Sequence, residues 1–178
     1  AKYRDRKGHK NLLEALAIVA EKHDFSVTFC GEEITDSDSQ YCRILKDKAH
    51  LLGLGSRLRF NNNIPHSKMV SVYSNHDLFI LPSQNEPAAV SPIEAAWAGC
   101  VVLISSDSGT RGYVPPGADF EFSAKNPADI ARTIDGILHS RERYMLARDS
   151  CFLHISSIAG NDLILRCFES FGIKNKLD

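Results

Sequence analysis

The chain has no surplus of charge, no paired-cysteine motif and no long apolar run, and each absence removes a class of function. Its 21 basic and 22 acidic residues leave a net charge of −1, so no overall field draws it to nucleic acid or to an anionic membrane. Any anion site has to be local. Cys30, Cys42, Cys100, Cys151 and Cys167 are odd in number and scattered, without the CxxC spacing of a zinc or redox site. They read as reduced, mostly buried thiols of an intracellular protein. No stretch approaches the ~20 apolar residues of a membrane span, and no signal peptide is evident. An HExxH spacing and a GxSxG elbow are missing as well. Metalloprotease and serine hydrolase chemistry therefore have no support.

What is present is an ordinary globular composition, 43% hydrophobic and 24% charged over 178 residues, enough for one domain with a sizeable core. Residues 11–22 place Leu12, Leu13, Leu16, Val19 and Ala20 at helical spacing. A strand over residues 25–30 ends at Gly31, and a helix over 41–52 ends at Gly53. A short strand (57–60), a short helix (65–74) and the unbroken apolar strand 77–81 follow, the last expected to be covered on both sides. Next come a helix near 91–98, a second buried strand at 101–104 and helices after Pro127. Residues 141–178 read as carboxyl-terminal helices with an apolar face of Leu163, Ile164, Cys167, Phe168 and Phe171. Strand alternating with helix predicts an α/β fold, a Rossmann-like open parallel sheet with helices on both faces. Ligands of such sheets sit at the carboxyl ends of the strands.

Several motifs compete for chemistry. The basic opening AKYRDRKGHK carries Lys2, Arg4, Arg6, Lys7 and Lys10 ahead of a helix. It reads either as a phosphate cradle or as a solvated loop where a longer chain was cut. Asp36-Ser37-Asp38 has the look of a DxD metal motif, but its Ser/Thr/Asp-rich setting before a helix points to capping. Gly53-Leu54-Gly55 follows a helix and lacks a third glycine, so it reads as a turn. LPSQNEPAAVSPIEAAWAG is the most informative stretch. A buried strand leads into a loop with Glu86 and then a helix with Glu94, seven residues apart. Small Ala88 and Ala89 would let a ligand approach the amides at that helix start. Ser91-Pro92-Ile93-Glu94 also reads as a capping box, and from these residues alone structure and function stay level.

In order along residues 2–138, the whole set resembles one family. A basic residue precedes Lys-Gly and a helix (Lys2, then KGHKNLLEAL), a strand ends in glycine (VTFCG), and LLGLGSRLRF supplies a turn and a strand. DLFILPS, the E-x7-E pair Glu86 and Glu94, and AWAGCVVLISSDSG complete it. The chain resembles the carboxyl-terminal, donor-binding domain of retaining group 1 glycosyltransferases, the carboxyl-terminal half of a GT-B fold. It departs from the family at Lys2 (usually Arg), Ala88-Ala89 (usually Phe-Gly), Asn62 (usually Gly) and Gly112 (usually Glu).

The resemblance implies transfer of a hexose from a UDP- or GDP-sugar to an unknown acceptor (a glycan, lipid or small molecule), with retention and without metal or other cofactor. Lys2, Lys7 and the amides near Ala88, Ala89 and Val90 would face the diphosphate. Glu86 would be the catalytic residue on the donor sugar, Glu94 would take the ribose diol, and the base would rest near Asn63 and Ile64. The acceptor domain would lie upstream of this chain, leaving the fragment able to bind donor but not to catalyse. The full enzyme would be cytoplasmic, or peripheral at the inner membrane face, with no nucleic-acid partner. A sugar-nucleotide epimerase half and a non-catalytic flavodoxin-like binding module are the alternatives.

Overall fold

Helix formation begins as soon as the apolar period does. The computed structural model describes residues 2–158, and its first helix, α1, spans His9–Val19 with Leu12, Leu13, Leu16 and Val19 buried. Strand β1 (Val27–Gly31) pairs in parallel with β2 (Leu58–Asn62) after the crossover helix α2 (Asp36–Leu51). Thr35 caps α2 through a capping box with Asp38, whose carboxylate accepts from the Thr35 amide at 3.0 Å. The DSD segment is therefore a helix start. Gly53 stops α2 in the left-handed region at φ 71°, the turn expected there.

The second half repeats the plan. Helix α3 (Met69–Ser74) leads to β3 (Leu78–Leu81), then α4 (Ser91–Trp97), β4 (Val101–Ser105) and the two-residue β5 (Glu121–Phe122). β3, β4 and β5 are all parallel, with β4 in the centre. β5 has no sequence signature of its own, because two residues are too short to show a period. Helices α5 (Pro127–Leu138) and α6 (Arg141–Ile158) close the described chain. α1 packs with α2 and α5, while α4 packs with α3 and α6.

Two features depart from expectation. The parallel strands do not form one continuous sheet: among the described residues β1 and β2 form one ladder, and β3, β4 and β5 another. β4 is buried along its whole length, but Leu78, Phe79 and Ile80 of β3 are only half-buried. The unbroken apolar pattern is the same in both strands. The difference is that, among the described residues, β4 has a neighbour on each side and β3 on one. The apolar tail face from Leu163 to Phe171 lies outside the described residues.

Candidate functional site

Three loops meet at the carboxyl ends of the strands. The first is the basic opening. Lys2 is exposed and makes a parallel bridge with Glu32, one residue past β1. Asp5–Lys7 then form one 3-10 turn, and Gly8 breaks it at φ 72° to start α1. Gly8 is required twice over, since a Cβ there would also lie 1.9 Å from the Pro82 carbonyl oxygen. The second loop leaves β3 at Pro82 and is tied to the first by the Gln84 amide donating to the Arg6 carbonyl at 2.7 Å. The third follows β4. Its Gly109 amide donates to the Glu86 carbonyl at 2.7 Å, and a Cβ on Gly109 would fall 2.3 Å from the Pro87 oxygen. Glu86 is thus held between two close backbone approaches.

Glu86 is 8% exposed, and a carboxylate buried at that level requires a partner. The Lys7 ammonium supplies it by direct ion pair, and Arg6 Nη1 stands 3.6 Å from the same oxygen. The sequence names Lys7 and Glu86 but not their pairing, because 79 positions separate them. Arg6 belongs to the basic run yet carries no motif of its own.

Glu94 lies on the first turn of α4, 6% exposed. The expected capping box does not form. The residue preceding the helix is Val90, no side chain caps it, and the Glu94 carboxylate turns away from the backbone. Oε2 instead accepts from the Tyr73 hydroxyl at 3.1 Å and Oε1 from His66 Nε2 at 2.9 Å, which places a proton on Nε2. Burial, with the Glu94 charge second, raises the Tyr73 pKa and keeps its hydroxyl a donor. Tyr73 and His66 are the residues that sequence reasoning missed. Both sit in the segment between β2 and β3, where Tyr73 reads only as one apolar position of a short helix.

Ala88 is exposed and Ala89 half-buried, and Val90 is exposed, so the short stretch between the two glutamates is open. Across from it, the turn after β2 carries its left-handed residue at Asn63 (φ 56°) and not at Asn62. Asn62 is the last residue of β2 and accepts from the Tyr3 hydroxyl at 2.7 Å. The Asn63 side chain bridges the Glu33 amide and carbonyl at 2.9 and 3.1 Å, which fixes the turn, and Ile64 follows half-buried. His9 lies behind Lys7 among Tyr3, Phe29 and Tyr41. Burial pushes its pKa down to about 4, and its Nδ1 has no hydrogen-bond partner. Trp97 is half-buried and stacks edge-on to Phe152 at 5.3 Å, away from the carboxylates. Cys30 is half-buried, and Cys42, Cys100 and Cys151 are buried. Among the described residues no group of three or more His, Cys, Asp or Glu is placed to hold a metal ion, and no helix is long and apolar enough to cross a membrane.

Known proteins share this fold. The chain is 27% identical over 161 residues to D-inositol 3-phosphate glycosyltransferase of Corynebacterium kroppenstedtii, which covers 84% of this chain and 34% of that protein. The crystal structure of the carboxyl-terminal domain of a group 1 family glycosyltransferase (LpcC) from Francisella tularensis superposes with a TM-score of 0.78 at 20% identity. That match covers 87% of this chain and 80% of that one. HepE from Anabaena, crystallised in complex with UDP, gives a TM-score of 0.79 at 18% identity over 96% of this chain and 47% of that one. The structural likenesses speak to fold. The curated relatives are longer proteins, of which this chain spans between 23% and 34%. Residues 1–149 match the family described as glycosyl transferases group 1, and the chain belongs to that family.

Proposed function

We propose that this chain is the donor-binding, carboxyl-terminal half of a retaining glycosyltransferase that moves a hexose from a UDP- or GDP-sugar to an acceptor held by another domain. The observation that carries the reading is the pair of buried carboxylates at the carboxyl end of β3, each with its own partners, flanking an open stretch of small residues. Family membership supports nucleotide-sugar chemistry, and the superposition on a carboxyl-terminal group 1 domain supports the placement.

In this reading the leaving diphosphate develops negative charge that fixed donors must meet. Lys7 would meet it directly, backed by Arg6, with Lys2 near the end of β1 and the amides of Ala88, Ala89 and Val90 alongside. Glu86, already on Lys7, would take the hydroxyls of the donor sugar and so keep sugar and phosphate in register. Glu94 would accept from the ribose diol, its orientation set by Tyr73 and His66. The base would lie against the turn at Asn63 and Ile64. No metal is invoked, and the reaction would be cytoplasmic. Proximity and desolvation at the reacting carbon need the second domain, so the fragment would bind donor without turning it over.

Calorimetry on the 178-residue chain with UDP, GDP, UMP and UDP-sugars in EDTA tests this. Diphosphates should bind more tightly than the monophosphate, and EDTA should not abolish binding. Absence of affinity for every nucleotide would overturn the donor-binding role.

A further inference from the structure

A cleft of about 290 Å³ opens between α5 and α6, and no residue assigned to the donor lines it. Its apolar part comes from Gly136 and Ile137 of α5, Leu146 and Ala147 of α6, and Phe120. The Phe120 carbonyl is tied to β4 by the Ile104 amide at 2.9 Å, so this wall is fixed. Gly136 lies within α5, where glycine weakens a helix relative to alanine. Packing does not demand it, since a Cβ there would meet nothing within 4 Å. The missing side chain instead leaves the cleft open. Leu146 is 63% exposed, an apolar side chain left to water beside that opening.

The charged groups around the cleft are not equivalent. Arg132 is committed: its Nε and Nη2 reach Asp129 Oδ1 at 3.0 and 2.7 Å, and both terminal nitrogens lie 3.4 Å from the Ala118 carbonyl. Arg143 is different. Its amide donates to the Ser140 hydroxyl at 3.2 Å, but among the described residues its guanidinium forms no ion pair or hydrogen bond. We infer that the cleft is a small-molecule site, separate from the donor site, for a compact apolar body carrying one carboxylate. The planar fork of Arg143 matches a carboxylate through two parallel hydrogen bonds, and Ser150, one turn beyond Leu146, adds a hydroxyl donor. Asp119 lines the cleft on the side of Phe120, so an anion is turned toward α6. The apolar body then rests between Ile137 and Leu146, over the space that Gly136 leaves. At the packing density of a protein interior the volume accommodates an aromatic acid the size of cinnamate. None of this depends on nucleotide binding, and either site can fail without the other.

Titration of the 178-residue chain with cinnamate, followed by backbone amide NMR shifts, tests this. Shifts should centre on Gly136, Ile137, Ala147 and Ser150, with a Kd in the low millimolar range that a ligand of this size supports. Neutral cinnamamide should bind at least ~5-fold more weakly, because it cannot pair with the guanidinium. Acetate, which lacks the apolar body, should leave these amides unmoved over the same range. Arg143→Gln should weaken cinnamate by at least ~5-fold and leave cinnamamide unchanged, while Gly136→Leu should fill the cleft and abolish both. Neither variant should alter nucleotide binding. If Gly136→Leu does not fold, the Arg143→Gln titrations decide alone. Cinnamate that moves no amide around the cleft overturns the inference, whether the cleft is covered by another part of the chain, by a second copy or by nothing. So does cinnamate that binds no better than cinnamamide, or that binds Arg143→Gln as tightly as the parent.

Discussion

Glu86 and Glu94 are both more than nine-tenths buried, yet their charges are met in opposite ways. Glu86 faces full cations, Lys7 in direct contact and Arg6 at 3.6 Å. Glu94 faces a neutral phenol and an imidazole. The first is a charge pair whose halves depend on each other, and removing either strands the other. The second is a carboxylate held in orientation with its negative charge uncancelled by a permanent cation. A group meant to accept from an incoming diol is suited by the second arrangement. A group that shares a lysine with an incoming phosphate is suited by the first.

The largest expected effect breaks the Glu86 side. Lys7→Ala leaves a buried carboxylate with only the longer Arg6 contact and should cost about 3–5 kcal/mol of folding stability in urea melts. Adding Glu86→Gln to it should recover most of the loss. A double variant as unstable as the single would show that the charge pair is not the cause.

Acid should act on the same side through His9. In the folded protein its pKa is pushed down to about 4 from 6.5. Above 6.5 both folded and unfolded forms are neutral and pH has no effect through this residue. As pH falls toward 4 the unfolded chain takes the proton and the folded chain refuses it, so stability drops, by up to about 3 kcal/mol. Below 4 the loss levels off. Melts from pH 7.5 to 4 should show this slope in the parent and a shallower one in His9→Phe, and identical slopes would remove His9 as the cause.

Smaller effects separate the ligands of the two carboxylates. Glu94→Gln should weaken UDP and UDP-sugar alike by about 1–2 kcal/mol. Glu86→Gln should leave bare UDP undiminished, because it releases Lys7, while weakening the sugar-bearing donor relative to UDP. Titration of both variants with both ligands gives the pattern, and equal loss of UDP binding would end the division of roles. The smallest change is at His66, whose side chain is 57% exposed. His66→Ala should cost under about 1 kcal/mol in UDP affinity, and a larger loss would mean that His66 itself touches the nucleotide.

The site was legible in part. Glu86, Glu94 and Lys7 stand out only through the ordered set of motifs around them, since taken singly each has an ordinary structural reading as a cap or a solvated charge. The capping-box reading of Glu94 failed because pattern cannot tell whether a carboxylate turns back to its own helix or across to another. Tyr73 and His66, 21 and 28 positions away, decided that. Asn62, where the family usually has glycine, ends β2 with its side chain committed to Tyr3 and Glu33, and the positive φ falls one residue later on Asn63.

Alternation of apolar strands with amphipathic helices determined the parallel α/β class, and the ordered motifs determined the family. Both depend on local chemistry, since period, turn residues and spacing are properties of short stretches of chain. Tertiary structure decided the rest. DLFIL and VVLIS carry the same unbroken apolar pattern, yet one strand is half-exposed and the other buried, because burial depends on which neighbours arrive from elsewhere in the chain. Charge pairing follows the same rule. Lys7 and Glu86 meet only because Gly8 lets the backbone of the opening loop close onto Pro82, a contact between segments that no local pattern encodes.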